Sequence, residues 1–352
     1  MNKPIAVVTS DIHFNLNNLE LSTIALKAAI TKAEELKIPL VIAGDLHDHK
    51  AIIRAEVMNR LLEVIGAAKC KVYIIVGNHD LINEKGKDHG LNYLRQFACI
   101  IDFPQLQGLN GTTVGMVPYA QDFKRELEEI ESAYPEIIIC HQGFQGGKMG
   151  EYIQDKTSID PVLVKDFTVI SGHYHRHQTI GSRVKVVEDD ALLRTFSGVG
   201  TVTYIGSPFT MSFGEANDPP KGFLILNSDG TYTREILNLR RHVKCEFTAE
   251  EIQMLWDWGP PSFDPTDLVW IKVSGPYSEL QRLDKDALRS WSGLASFKLD
   301  LIPTDSPTAP IEVETLTASE VFDKLIDSTP ESDQQKSTLK VLYREIIESD
   351  RK

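Results

Sequence analysis

The sequence predicts an α/β fold: a two-sheet αββα sandwich, then a small α+β domain and a C-terminal helical segment. Three observations carry that prediction. Short, wholly apolar runs alternate with helical periodicity over the first 76 residues. Five short segments rich in Asp, Asn and His each follow an apolar run, and after Gly172 the pattern changes to shorter, turn-bounded runs. Wholly apolar strands belong in a sheet covered on both faces.

Residues 5–8 read as a buried strand feeding a loop at Asp11. A helix follows, with Leu26, Ala29, Ile30 and Ala33 at i, i+3, i+4 and i+7. Residues 40–43 are the next buried strand, Met58, Leu61, Leu62 and Ile65 repeat the helical spacing, and residues 72–76 are the third strand. Further strands are expected at 113–117, 137–140 and 168–171, with a charged helix over about 122–132. Beyond Gly172 come strands at 201–205, 223–226 and 233–239. The last two are joined by Asn227-Ser228-Asp229-Gly230, and Asp-Gly between strand-like runs is a hairpin signal.

The residues of metal-binding type stop near 240, so residues 1–240 form the first domain. Residues 241–302 read as the small α+β domain, with a helix near 249–256, a strand at 268–273, a helix from 278 to about 291 and a strand at 296–301. Residues 303–314, punctuated by Pro303, Pro307 and Pro310, are a linker by composition. Residues 315–352 form the C-terminal segment, whose helix has Thr329 as N-cap and Pro330 at its first position.

The 352 residues carry 37 Lys and Arg against 50 Asp and Glu, a formal charge of -13. The surface as a whole is therefore no nucleic-acid footprint, because nonspecific affinity grows with the number of phosphates that Lys and Arg neutralise. Cys70, Cys99, Cys140 and Cys245 show no paired spacing and read as reduced residues in apolar company, which points to the cytoplasm. No apolar run reaches the length of about 18 residues that spans a bilayer, so no membrane role is expected.

Asp11 and His13 stand in an Asp-x-His pair, Asp45 follows Gly44, Asn78 follows Gly77, His141 follows a strand, and His173 and His175 form Gly-His-x-His. Asp45 has two charged oxygens with which to bridge two cations, and Asn78 adds a neutral carbonyl oxygen. With the imidazoles they make a mixed N/O set suited to Mn, Fe, Zn, Co or Ni, unlike the all-oxygen shells of Ca and Mg. One such loop alone would read as solvated polar residues at a strand end. Five in one chain point to metal-dependent phosphoester hydrolysis.

Asp11-x-His13, Gly44-Asp45-x-x-Asp48, Gly77-Asn78-His79-Asp80, the isolated His141 and Gly172-His173-x-His175 resemble the calcineurin-like metallophosphoesterases over about residues 4–240. Gly206-Ser207-Pro208, Phe213-Gly214-Glu215 and Lys221-Gly222 are similar to segments of the SbcD/Mre11 family of DNA nuclease subunits, here possible in phage-encoded form. The resemblance implies that Asp11, His13, Asp45 and His175 hold one divalent metal ion and that Asp45, Asn78, His141 and His173 hold a second, both manganese. It implies His79 as the catalytic proton or hydrogen-bond donor, with Asp80 either orienting it or capping the loop.

One departure concerns Asp48, which stands where Mre11-like nucleases usually have histidine, with His47 one position earlier. His47 and Asp48 are therefore candidates for positioning substrate, and Lys148 and Arg176 for touching a nucleic-acid backbone. His49, His89, His177 and His242 are not expected as ligands. The partners implied are DNA, an SbcC/Rad50-like SMC-family ATPase docked on residues 315–352, and a second copy, giving a heterotetramer. The Met58-Leu61-Leu62-Ile65 stripe serves either that dimer contact or the chain's own sheet. Two other functions stay open: a phosphodiesterase or phosphatase on non-DNA substrates, and a non-enzymatic scaffold on the same fold.

Overall fold

The computed structural model describes residues 3–83, 87–133, 135–150, 153–181, 194–195, 200–258, 263–290 and 296–305, with Lys336 alone beyond them. The first sheet combines β1 (Pro4–Thr9), β2 (Leu40–Ala43), β3 (Val72–Ile75) and β4 (Cys99–Ile101), all parallel. Helix α1 (Leu19–Leu36) lies between β1 and β2, and α2 (Ala55–Gly66) between β2 and β3. The second sheet takes β5 (Gln105–Leu109), β6 (Thr112–Val117), β7 (Ile137–His141), β10 (Thr168–Gly172), β11 (Gln178–Gly181) and β13 (Thr201–Tyr204), with α3 (Phe123–Glu131) between β6 and β7. Strands β8 (Lys148–Met149) and β9 (Ile153–Gln154) form a small hairpin, and β12 (Arg194–Thr195), β14 (Gly222–Asn227) and β15 (Tyr232–Ile236) complete the first sheet.

The two sheets face each other across one apolar layer. Ile5, Val8, Val41, Tyr73 and Ile75 from the first meet Val114, Met116, Ile139 and Ile170 from the second. The opposite face of the first sheet is covered by α1 and α2 through Leu26, Ala29, Ile30, Leu61 and Ile65, while Phe123, Leu127 and Ile130 of α3 cover the second. Each large aliphatic side chain fully buried here contributes on the order of 2 kcal/mol. Because both faces of β1, β2 and β3 are covered, alternation is lost and the strands read as unbroken apolar runs. Leu61 and Ile65 are buried and Leu62 packs on the same cluster, so the α2 stripe serves its own sheet rather than a dimer contact.

The third sheet is a separate unit of three parallel strands, β16 (His242–Thr248), β17 (Leu268–Gly275) and β18 (Ser296–Pro303). Helices α4 (Ala249–Trp258), α5 (Tyr277–Leu280) and α6 (Lys285–Ser290) accompany it, and its apolar face is built on Val269, Ile271 and Val273. Two details depart from the sequence reading. Strand β16 was not anticipated, because Lys244 and Glu246 break its hydrophobic run. The single helix expected over 278–291 is two, since Asp284 accepts a hydrogen bond from the Asp286 N–H and starts a new helical turn. The linker beyond Asp305 and the C-terminal helix with Thr329 and Pro330 lie outside the described residues.

Candidate metal centre

Parallel strands end on one edge, and that edge gathers the polar segments. Asp11 follows β1, Asp45 follows β2, Asn78 follows β3, His141 ends β7 and His173 follows β10. Four of the side chains sit on strained backbone, with positive φ at Asp11 (51°), His13 (49°), Asp45 (51°) and His173 (93°). Such conformations cost on the order of 1–3 kcal/mol each and persist where the surroundings impose them. Glycine is required where the loops touch: a Cβ on Gly44 would lie 2.1 Å from His141 Nδ1, and one on Gly77 would lie 2.3 Å from the Asp45 amide nitrogen.

Asp11, His13, Asp45 and His141 are all buried. Asp45 Oδ2 lies 3.2 Å from His141 Nε2 and 3.7 Å from His13 Nε2, so one carboxylate reaches both halves of the cluster. Its Oδ1 accepts the His79 N–H at 2.8 Å. Asp11 accepts the His173 N–H, and Asn78 Oδ1 lies 3.0 Å from His141 Nε2 and 2.9 Å from His173 Nδ1. Ligand atoms of Asp11, His13 and His175, and of Asp11, Asp45 and His141, each converge within 4.8 Å.

The donor chemistry fits cations. His141 Nδ1 donates to the Ala43 carbonyl at 2.8 Å, so a neutral ring turns its Nε2 lone pair onto the oxygens of Asp45 and Asn78. His175 Nδ1 lies 2.8 Å from Glu215 Oε1, which leaves its Nε2 lone pair 3.1 Å from His13 Nε2. Lone pairs aimed at lone pairs repel unless a cation or proton lies between them. Without a metal, a proton fills that role. Burial opposes charge on both Asp45 and His141, yet their mutual attraction holds the Asp45 carboxyl well below its usual range and lifts His141 to about 9. Burial, then the charge of His141, pushes His173 down to about 4.

The sequence reading did not assign a role to Glu215 or Tyr119. Glu215 is buried beside His175, Ser207 and Lys221. Burial raises its pKa, but the His175 hydrogen bond and the Lys221 charge prevail and hold it at about 2. A carboxylate behind a ligating histidine fixes the ring and raises its basicity. The Phe-Gly-Glu segment carried the signal without the role. The Tyr119 ring packs against His173 at 6.0 Å and against His141 at 6.4 Å. It sits just beyond β6, the neighbour of β7, so its place at a parallel strand end was the available clue.

The remaining sequence candidates separate. His79 lies at the rim of the cluster, its ring 4.8 Å from that of His13 and its Nδ1 2.7 Å from the Asp48 carbonyl oxygen. Asp48 Oδ1 is 3.3 Å from His13 Nδ1, so this carboxylate backs His13. His47 does not reach the centre: it is buried, with Nε2 2.9 Å from the Tyr93 hydroxyl. Asp80 accepts from the backbone N–H groups of Gly77, Leu46 and His47, tying two loops together; the His79 ring takes its orientation from Asp48 instead. Nη1 of the Arg176 guanidinium donates to Asp218 and to the Asn217 carbonyl. Lys148 is exposed on β8.

Residues 6–177 match the profile of the calcineurin-like phosphoesterases. Over those residues the chain is similar to the calcineurin-like phosphoesterases. A protein called phosphoesterase 244L of Invertebrate iridescent virus 6 is 29% identical over 230 residues, covering 62% of this chain and 74% of its own length. Phosphoesterase 078R of Invertebrate iridescent virus 3 is 27% identical over 194 residues, 50% of this chain and 54% of that protein. Exonuclease subunit 1 of Enterobacteria phage T4 is 23% identical over 205 residues, 55% of this chain and 54% of its own. The chain thus spans about half the length of the last two. It is a metal-dependent phosphohydrolase by fold and donor set, with candidate sites for two divalent ions. No described helix is long and apolar enough to cross a membrane.

Proposed function

We propose that this metallophosphoesterase is the nuclease subunit of an SbcCD/Mre11-Rad50-like complex, cleaving DNA phosphodiester bonds as a 3'-5' exonuclease on duplex and an endonuclease on single strands. One connected observation carries the reading. The segment from Thr210 to Glu215 joins the metal centre to a basic aromatic surface on the third sheet. Glu215 holds His175, while Phe213 packs on Trp270 with ring centroids 5.4 Å apart. Around Trp270, the ammonium groups of Lys298, Lys272 and Lys244 lie 3.9, 4.4 and 5.9 Å from the ring centroid. Glu246 and Asp300 pair with these lysines. Three cations on one open sheet face still give a chain of charge -13 a local phosphate-binding surface. The similarity to a phage exonuclease subunit supports the same substrate class.

Two bound manganese ions would polarise the scissile phosphate and acidify a water. The chain's own part is to hold them and to position the substrate. Asp11, His13, Asp45 and His175 would hold one ion, and Asp45, Asn78, His141 and His173 would hold the other. His79 Nδ1–H donates a hydrogen bond to the Asp48 carbonyl, so the ring would meet a phosphate or leaving oxygen through Nε2, acting as donor there when the ring carries its second proton. Asp80 keeps the loops of Asp45 and Asn78 in register. In the cell the subunit would work in the cytoplasm as a dimer, with residues 315–352 docked on an SMC-family ATPase. Deleting 315–352 should spare hydrolysis of a small diester and remove ATP-stimulated cleavage of duplex DNA.

The test is manganese-dependent digestion of linear duplex and circular single-stranded DNA beside bis(p-nitrophenyl) phosphate. Cleavage of DNA that is lost in His79→Ala supports the nuclease reading. Hydrolysis of the small diester with both DNAs left intact, ATPase partner present, would transfer the function to a non-DNA phosphodiesterase.

A further inference from the structure

Lys221 carries a buried ammonium to which the proposed chemistry gives no part. It is 8% exposed, and lysine enters protein interiors only where its charge is met. It stands immediately before β14 in the first sheet, and its carbonyl accepts the Leu237 N–H at 2.9 Å, so its backbone is fixed. The residue after it has to be glycine: a Cβ on Gly222 would lie 1.9 Å from the Glu235 carbonyl oxygen.

From there Nζ reaches across to the loop that follows β10 of the second sheet. It donates to the His175 carbonyl at 2.7 Å, to Ser207 Oγ at 3.0 Å and to Asp218 Oδ2 at 2.8 Å, and it lies 3.1 Å from Glu215 Oε2. The Ser207 N–H binds the same His175 carbonyl at 3.0 Å, and Glu215 Oε1 lies 2.8 Å from His175 Nδ1. One ammonium thus holds the backbone of His175 directly and its ring through Glu215. Packing constrains this ring least: the His175 side chain is 30% exposed, whereas those of His13 and His141 are 4% and 0% exposed.

We infer that Lys221 is a positioning residue for the metal centre, setting His175 for the cation it would share with Asp11 and His13. The inference rests on the two-ion part of the proposed function. It gives Ser207, Glu215 and Lys221, which lie in three separate segments, one common purpose at a single imidazole. The competing role is charge balance alone, since Glu215 and Asp218 face Lys221 and Arg176. Charge balance makes Asp218 as important as Glu215. Positioning does not, because the Asp218 carboxylate meets Lys221 and Arg176 and stands one step removed from His175.

The test is isothermal titration of manganese into the metal-free full chain, beside melting temperatures with and without manganese. Lys221→Met should weaken manganese binding about tenfold and shrink the manganese-induced rise in melting temperature, as expected when a group that orients a ligand is lost. Asp218→Asn, one step further from the ligand, should stay within about threefold of the unaltered affinity whatever it does to the melting of the metal-free chain. The double variant Lys221→Met/Glu215→Gln leaves no unpaired charge at position 215, so it serves where the single variant does not fold. It should bind manganese at least about threefold more weakly than Glu215→Gln, because the His175 carbonyl is released as well. Equal affinities of those two, an unchanged affinity in Lys221→Met, or a loss in Asp218→Asn as large as in Lys221→Met overturns the inference and leaves the two-ion reading intact. An unaltered chain that binds no manganese overturns both.

Discussion

The loop edge of the sandwich and the open face of the third sheet are built on opposite terms. At the loop edge, buried carboxylates and imidazoles crowd within hydrogen-bonding distance on backbone of positive φ, so local stability is given up to converge ligand atoms. The third sheet is regular: β17 alternates half-buried and buried residues from Leu268 to Gly275, and its polar face carries Trp270 and Lys272 without strain. Four of the seven non-glycine residues with positive φ among the described residues lie at this edge, where the ligand atoms converge.

The largest effect should come from the atom shared by the whole cluster. Asp45→Ala removes the carboxylate between His13 and His141, and should lower turnover by about a thousandfold or more together with bound metal, read by elemental analysis of the purified variant. Next is His79→Ala, expected to cost about a hundredfold to ten-thousandfold in kcat with the metal content unchanged. Metal loss in that variant would place His79 among the ligands.

Glu215→Gln should weaken manganese binding by about ten- to a hundredfold, because it touches only the far side of the His175 ring. An unchanged affinity would reduce Glu215 to a structural ion pair with Lys221. On the third sheet, replacing Lys244, Lys272 and Lys298 by Gln should flatten the salt dependence of DNA binding while small-diester turnover stays constant. A slope that does not change would sharpen the contrast by making that face inert.

The smallest effect lies at the junction of the two regions. His242 exchanges hydrogen bonds with Thr210 and its pKa is lowered, by burial first and by Arg240 second. The unfolded chain therefore takes up this proton before the folded one does. The contribution is complete above the ordinary histidine value of 6.5 and is lost as pH falls below it. Thermal melts between pH 7.5 and 5.5 should show a decline that His242→Asn reduces.

Sequence and structure agree most where residues carry chemistry in short, ordered segments. The strands leading to Asp11, Asp45, Asn78, His141 and His173 were readable because each is covered on both faces and ends in a polar turn. The meaning of Glu215 was hidden by the 40 positions that separate it from His175, and Tyr119 lies 54 positions before its neighbour His173. His47 shows a related limit: position beside a motif says nothing of which way a side chain leaves the backbone, and here Tyr93 claims it. Trp270 and its lysines come from three strands, and no local pattern joins them.

The two-cation centre underlies the proposed chemistry, and the number of manganese ions bound per chain tests it directly. Native mass spectrometry of the chain loaded with manganese should show two ions, and Asp45→Ala should show fewer. A chain that binds no manganese, or an Asp45→Ala variant that keeps two ions and full turnover, would contradict the account.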